Sequence, residues 1–336
     1  MKTEAAIQVL EPRFPLIPFG EISFDTRAEY LVKGLLPKEG LAVAWGPPKC
    51  GKSFWVFDVA MHVALGWEYR GRRVKAGPVV YIAAEGQSGF KRRVEAFRQK
   101  HLAEDHDAPP FHLLPTRLDL IHDYEDLVQS IRVQLAGTLP ALVVLDTLNR
   151  TFSGSESSDE DMGAYIKAAD NIKTAFSCAV VVVHHCGVEG SRPRGHTSLT
   201  GAADAQIAIK RDHQQNIVAT VEWMKDAEGE GDEFASTLET VDLGWDDDGE
   251  PITSCVVCPT MGIPSTVKPV RLTPNQQTML NLIKDAGPSG IHTTDLYAKA
   301  RELDVGTNRR ANLYDATQAL KSKGLVHEYG GRWNVG

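Results

Sequence analysis

The run Gly46-Pro47-Pro48-Lys49-Cys50-Gly51-Lys52-Ser53 places a lysine and a hydroxyl directly after the second of two spaced glycines. Glycines at that spacing let main-chain N–H groups converge on phosphate oxygens, and a helix starting beside them adds its positive N-terminal end. Lys52 is then placed to neutralise β- and γ-phosphates, and the Ser53 hydroxyl to bind Mg²⁺. Gly46 through Phe54 therefore reads as a cradle for ATP with its Mg²⁺. Asp146, at the end of the apolar run Ala141-Leu142-Val143-Val144-Leu145, is a carboxylate suited to hold the same ion through water. Thr147 follows it where many ATPases carry the water-activating glutamate, so the base must come from another segment. Glu85, just after Val79-Val80-Tyr81-Ile82-Ala83, is the natural candidate to orient and deprotonate the attacking water.

These residues need a scaffold that brings several strand ends to one edge. Leu41 to Trp45, Val79 to Ala83, Ala141 to Leu145 and Ala179 to Val183 are continuous apolar runs bounded by turns, as in parallel strands covered on both faces. Lys52 to Leu65 has helical spacing with a stop near Gly66; Ser88 to Lys100, Glu125 to Ala136 and Asp159 to Phe176 read as further helices. After Ala205 to Ile209, the alternation of Asn216 to Met224 and Phe234 to Val241 predicts a long hairpin. The expected fold class is α/β, a P-loop core on a mostly parallel sheet. Its domains are an arm over 1–29, the ATPase domain over 30–261, a turn-rich linker over 262–271 and a small domain over 272–336.

The ordered set is more specific than any one part. The glycine loop, Val80-Tyr81-Ile82-Ala83-Ala84-Glu85-Gly86, the strand ending at Asp146 and Val181-Val182-Val183-His184-His185 occur in this order. With Arg194-Gly195-His196-Thr197-Ser198-Leu199 and Gly201-Ala202-Ala203-Asp204, the stretch 30–245 resembles RecA-like ATPases of the plasmid RepA replicative-helicase type. The resemblance implies a hexameric ring with ATP between subunits and single-stranded DNA through the centre. It implies a γ-phosphate-sensing histidine, His184 or His185, with His185 favoured. It also implies a basic finger acting in trans, for which Lys210 and Arg211 compete. The loop carrying Arg192 and Arg194 would face the channel and contact DNA phosphates.

The last segment follows a different plan. Thr273 caps a helix with Pro274 at its first position, Thr294 to Glu302 and Asn308 to Lys323 supply two more, and a hairpin closes the chain. Three helices and a hairpin predict a winged-helix domain, with Arg309, Arg310 and Lys321 on one helix facing DNA. From Arg271 onward nine Lys or Arg stand against six Asp or Glu, a net of +3, which leaves −11 of the total −8 on the remainder. A basic tail on an acidic body predicts local contact with polyanions.

Composition excludes other classes. At 336 residues, 42% hydrophobic and 24% charged, the chain is expected to be a cytoplasmic globular protein. The longest apolar run, Cys178 to Val183, is too short to span a bilayer. Five cysteines spread over core strands and the phosphate loop fit a reducing compartment. Cys255-Val256-Val257-Cys258 lacks the second close Cys/His pair a zinc site needs. The expectation is an ATP-driven motor on single-stranded DNA, a hexameric helicase of plasmid or phage replication, with an initiator or an external primase as partner. The alternative is a DNA-binding regulatory or loader ATPase that switches without unwinding. A small-molecule kinase is disfavoured, because no lid with clustered arginines follows the sheet.

Overall fold

A computed structural model of the chain describes residues 16–23, 29–102, 107–187, 192–225, 228–260, 273–287, 290–303, 310–322, 325–329 and 331–335. Two units divide the chain, Met1–Gly262 and Ile263–Gly336. In the first, a short antiparallel pair, β1 (Tyr30–Val32) and β2 (Leu36–Pro37), leads into β3 (Gly40–Gly46). Then follow α1 (Lys52–Leu65), β4 (Val79–Ala83), α2 (Gln87–His101), β5 (Phe111–Leu114), α3 (Leu120–Gln134) and β6 (Leu142–Asp146). After these come α4 (Asp159–Phe176), β7 (Ala179–His185), α5 (Ser198–Ala202), β8 (Ala205–Arg211), β9 (Ile217–Met224), β10 (Glu233–Trp245) and β11 (Pro251–Pro259).

The sheet order is β11-β10-β9-β8-β3-β7-β6-β4-β5. From β5 to β8 all pairings are parallel; from β8 to β11 all are antiparallel. This is an α/β core on a mostly parallel sheet. Alternation divides each central strand between two cores. Ala42 and Ala44 of β3 join Trp55, Phe57 and Met61 of α1 and Phe90 and Phe97 of α2. Leu41, Val43 and Trp45 join Leu127 and Ile131 of α3 and Met162, Tyr165 and Ile172 of α4. Small side chains on one face of β3 let α1 sit close, which sets the start of that helix beside the strand end.

Register brings the strand ends together. Gly46 lies opposite His185, and Asp146 lies between Ala83 and Val183. Four segments therefore present their chemistry along one edge, where ligands enter open α/β sheets.

Several elements differ from the sequence expectation. Helix α3 begins at Leu120 rather than Glu125, because the Asp119 side chain accepts the Ile121 amide as its cap. Strand β5 was not legible: it is short and half-buried, and it is held by Phe111, whose ring centroid lies 5.5 Å from that of Phe57. Strand β10 runs to Trp245 and pairs with β11, which contains Cys255 and Cys258. This hairpin reaches α1 and α2, where Lys100 Nζ lies 2.5 Å from Glu239 Oε1. Glu85 sits two residues beyond β4 rather than at its end.

The second unit contains α6 (Pro274–Asp285), β12 (Ile291–His292), α7 (Thr293–Glu302), α8 (Arg310–Ser322), β13 (Val326–Tyr329) and β14 (Arg332–Val335). Thr273 and Gln276 form a reciprocal capping box at α6. Leu280, Ile283, Leu296, Leu313, Leu320 and Trp333 share one buried cluster. A three-stranded sheet, ordered β12-β14-β13, completes it, and Trp333 Nε1 donates to Thr293 Oγ1 at 2.9 Å. The sequence expectation omitted β12.

Candidate nucleotide site

The phosphate loop is packed too tightly for side chains at its glycines. A Cβ on Gly46 would lie 1.9 Å from the Ile209 carbonyl oxygen. One on Gly51, whose φ is +101°, would lie 2.4 Å from Ile217 Cδ1. Between them the buried Cys50 thiol donates to Ile209 O at 3.1 Å and ties the loop to β8. Burial pushes the Cys50 thiol above its usual pKa, so it serves here as packing and not as a nucleophile.

Lys52 opens α1 and folds back over the loop, donating to Gly46 O at 3.0 Å and Pro47 O at 2.7 Å. Its Nζ is 3.5 Å from His185 Nδ1. Burial is the main cause that lowers its pKa. The Ser53 hydroxyl donates to Asp146 Oδ1 at 3.0 Å, and the Tyr81 hydroxyl to Asp146 Oδ2 at 2.7 Å. Burial raises the Asp146 pKa, while both hydroxyls and the charge of Arg93 pull it back. A hydroxyl and a buried carboxylate in contact form an oxygen donor set that fits Mg²⁺.

Lys52, Ser53, Phe54, Glu85, Asp146, Thr147, His185 and Arg211 line one open cleft of about 520 Å³, together with Pro48, Lys49, Gly51, Gly86, Arg93 and Leu238. Gly46 and Pro47 contribute the carbonyls that hold Lys52. Glu85 is half-exposed, and its Oε2 lies 3.8 Å from Arg150 Nε.

The two histidines separate by strand alternation. His185 lines the cleft, and burial followed by the charge of Lys52 lowers its pKa, so the ring is neutral at pH 7. His184 is fully buried on the other face, with Nε2 2.7 Å from Arg194 O. Lys210 and Arg211 divide in the same way. Arg211 faces the cleft and donates to the Gln215 carbonyl, whereas Lys210 Nζ lies 5.0 Å from the Trp45 ring centroid on the opposite face. Arg211 borders the cleft of its own chain.

The expected DNA contacts divide as well. Arg194 grips Glu156 with both Nε and Nη2 at 2.5 Å, so its guanidinium is already matched by a carboxylate. Glu156 also accepts from Asn149 within the loop after β6, and its pair with Arg194 ties that loop to the one after β7. Arg192 is exposed. In the second unit Lys321 lies 3.4 Å from Glu328, Arg310 starts α8, and Arg309 lies outside the described residues.

Spacing in the sequence did not indicate Arg93, Tyr81, Arg150 or Leu238. Arg93 projects from α2 with its guanidinium 4.2 Å from the Phe54 ring centroid. Tyr81 lies within the run Val80 to Gly86, but only the pairing of β4 with β6 brings its hydroxyl to Asp146. Leu238 arrives on the β10–β11 hairpin.

Residues 12–191 match a protein family described as an AAA domain. Among solved structures, the RadB recombinase is similar with a TM-score of 0.42 and 17% identity, over 62% of this chain and 89% of that one. A KaiC-like protein from the hyperthermophilic archaeon Pyrococcus horikoshii gives a TM-score of 0.43 and 11% identity, over 70% of this chain and 98% of its own. No curated protein matches.

Proposed function

This chain belongs to the AAA-domain family, and from that premise we propose that it is an ATPase whose hydrolysis drives work on single-stranded DNA. The observation that carries the reading is the meeting of Lys52, the Ser53–Asp146 pair and Glu85 in one cleft at the start of α1. When bound, Mg²⁺ would be held at Ser53 and Asp146 and would offset phosphate charge. Lys52 exchanges the Gly46 and Pro47 carbonyls for β- and γ-phosphate oxygens. Glu85 orients the attacking water and accepts its proton as the bond from γ-phosphorus to the bridging oxygen breaks. Arg211 and the neutral His185 donate to the γ-phosphate oxygens as charge develops on them.

Phosphate release from ATP tests this assignment. Lys52→Ala and Glu85→Gln should each lower turnover at least about 100-fold, while only Glu85→Gln still retains ATP on a filter. Wild-type turnover in Glu85→Gln would remove that residue as the base.

The finer reading is a hexameric motor that unwinds duplex DNA in plasmid- or phage-type replication, with the second unit as a winged-helix DNA contact. Its support is the order of motifs along the chain and the basic tail. A second reading, a switch that hydrolyses ATP without unwinding, draws support from Arg211 lying in its own cleft and Arg194 being held by Glu156. Strand displacement on a forked duplex separates them. Hydrolysis stimulated by single strands without displacement supports the switch.

A further inference from the structure

Leu238 is a large apolar side chain in a cleft walled mostly by charged and polar groups, and it arrives from a strand remote in sequence from the phosphate loop. Alternation along β10 turns Phe234, Ser236 and Leu238 to one face. Phe234 packs on Trp55 of α1, with ring centroids 6.5 Å apart. Ser236 is fully buried, and its Oγ accepts a hydrogen bond from Arg70 Nη2 at 3.1 Å. The same Nη2 lies 3.7 Å from Asp58 Oδ2. One guanidinium therefore bridges α1, the helix that starts at the phosphate loop, to the strand that delivers Leu238.

The turn after α1 is shaped to present that guanidinium. Tyr69 and Arg72 close it with reciprocal main-chain bonds, and Arg70 holds a φ of +55°, a left-handed conformation that side-chain-bearing residues seldom adopt. The Arg70 and Asp58 side chains are only 15% and 6% accessible, so solvent screens their attraction little. Three elements face the Asp58 carboxylate. Arg70 comes from the turn, His62 from the next turn of α1 with Nδ1 3.8 Å from Oδ1, and the Cys258 thiol of β11 lies in its field. His62 is no substitute for Arg70, because its Nδ1 is 2.8 Å from the Asp58 carbonyl oxygen and burial lowers its pKa, as do Arg70 and His101. Burial raises the Asp58 pKa to about 7 against the pull of Arg70, which brings its charge within reach of neutral pH.

We propose that Arg70 is a positioning residue: held by the Asp58 carboxylate, it fixes β10 so that Leu238 packs on the nucleoside part of ATP, and the cleft loosens when that carboxylate takes a proton. Lys52 and the loop take the phosphates, which leaves the apolar wall for the nucleoside. With Asp58 neutral, the guanidinium loses its counter-charge and Ser236 alone retains it. Affinity for ATP is then greatest above about pH 7 and falls below it. This positioning rests on the reading of the cleft as a nucleotide site.

The test is KM for ATP in the full chain at pH 6 and pH 8, with competition by magnesium tripolyphosphate, which has the phosphates and no nucleoside. Asp58→Asn should raise KM about fivefold at pH 8 and by less at pH 6, where the wild-type carboxylate is itself protonated. The loss should fall on KM rather than kcat, and inhibition by tripolyphosphate should not change. Leu238→Ala should raise KM alone and add nothing to Asp58→Asn. Arg70→Lys should keep part of the affinity that Arg70→Gln loses, which guards against a merely misfolded variant. An equal loss at both pH values, an equal loss for tripolyphosphate, or additive effects of Asp58→Asn and Leu238→Ala would each overturn the proposal. Failure of the wild type to bind ATP at either pH would instead bring down the nucleotide site itself, so the two failures are distinguishable.

Discussion

Asp146 holds its place through two hydroxyls from different parts of the chain. Ser53 is part of a contiguous motif, and its role follows from spacing alone. The hydroxyl of Tyr81 meets Asp146 only because β4 pairs with β6 in the register that sets Tyr81 opposite Val144. It favours the ionised carboxylate against a burial effect that raises the Asp146 pKa. Removing such an outer partner commonly weakens metal affinity by about 10- to 100-fold. Tyr81→Phe should therefore raise the Mg²⁺ concentration for half-maximal ATP turnover by about 10-fold, read from a magnesium titration of the hydrolysis rate. The loop residues, Asp146 and Glu85 were legible because strand-end chemistry is written next to a recognisable apolar run. Arg93 and Arg150 were not, because nothing in their spacing reveals which cavity a helix or a short turn will place them beside.

Helix α1 joins the nucleotide edge to the core and carries a buried acid of its own. Asp58 is 4% exposed, with Arg70 Nη2 3.7 Å from its Oδ2. Burial outweighs that guanidinium and pushes its pKa from 3.8 up to about 7. The folded state thus binds a proton that the unfolded chain releases, and this contribution is fully present below pH 3.8 and is lost as pH rises through about 7. Asp58→Asn should reduce the fall in stability between pH 5 and pH 8 measured by urea unfolding; an unchanged difference would contradict the assignment. The boundaries of α1 and α4 were readable from apolar spacing and from their stops. The first turn of α3 was hidden because its evidence is one side-chain cap, and β5 because tertiary packing of Phe111, not alternation, makes it a strand. The hairpin β10–β11 exceeded its expected length for a related reason. Exposed polar positions along β10 mask a strand that main-chain pairing holds together.

Across the whole chain, an acidic first part is followed by a basic tail, and one catalytic edge stands on the sheet of the first unit. Arg211 lines the same cleft as Lys52 and Glu85, so whether it acts within its own chain or across a subunit boundary bears on assembly. The motor reading expects six-chain particles by light scattering with ATP and Mg²⁺, and the switch reading expects turnover per chain that persists on dilution to monomer. Both depend on a triphosphate held at the start of α1. Calorimetric titration of ATP with Mg²⁺ into wild type and Lys52→Ala tests that dependence most directly. Saturable binding at one site per chain, abolished in Lys52→Ala, is the predicted result; no binding to wild type, or undiminished binding to Lys52→Ala, would contradict it.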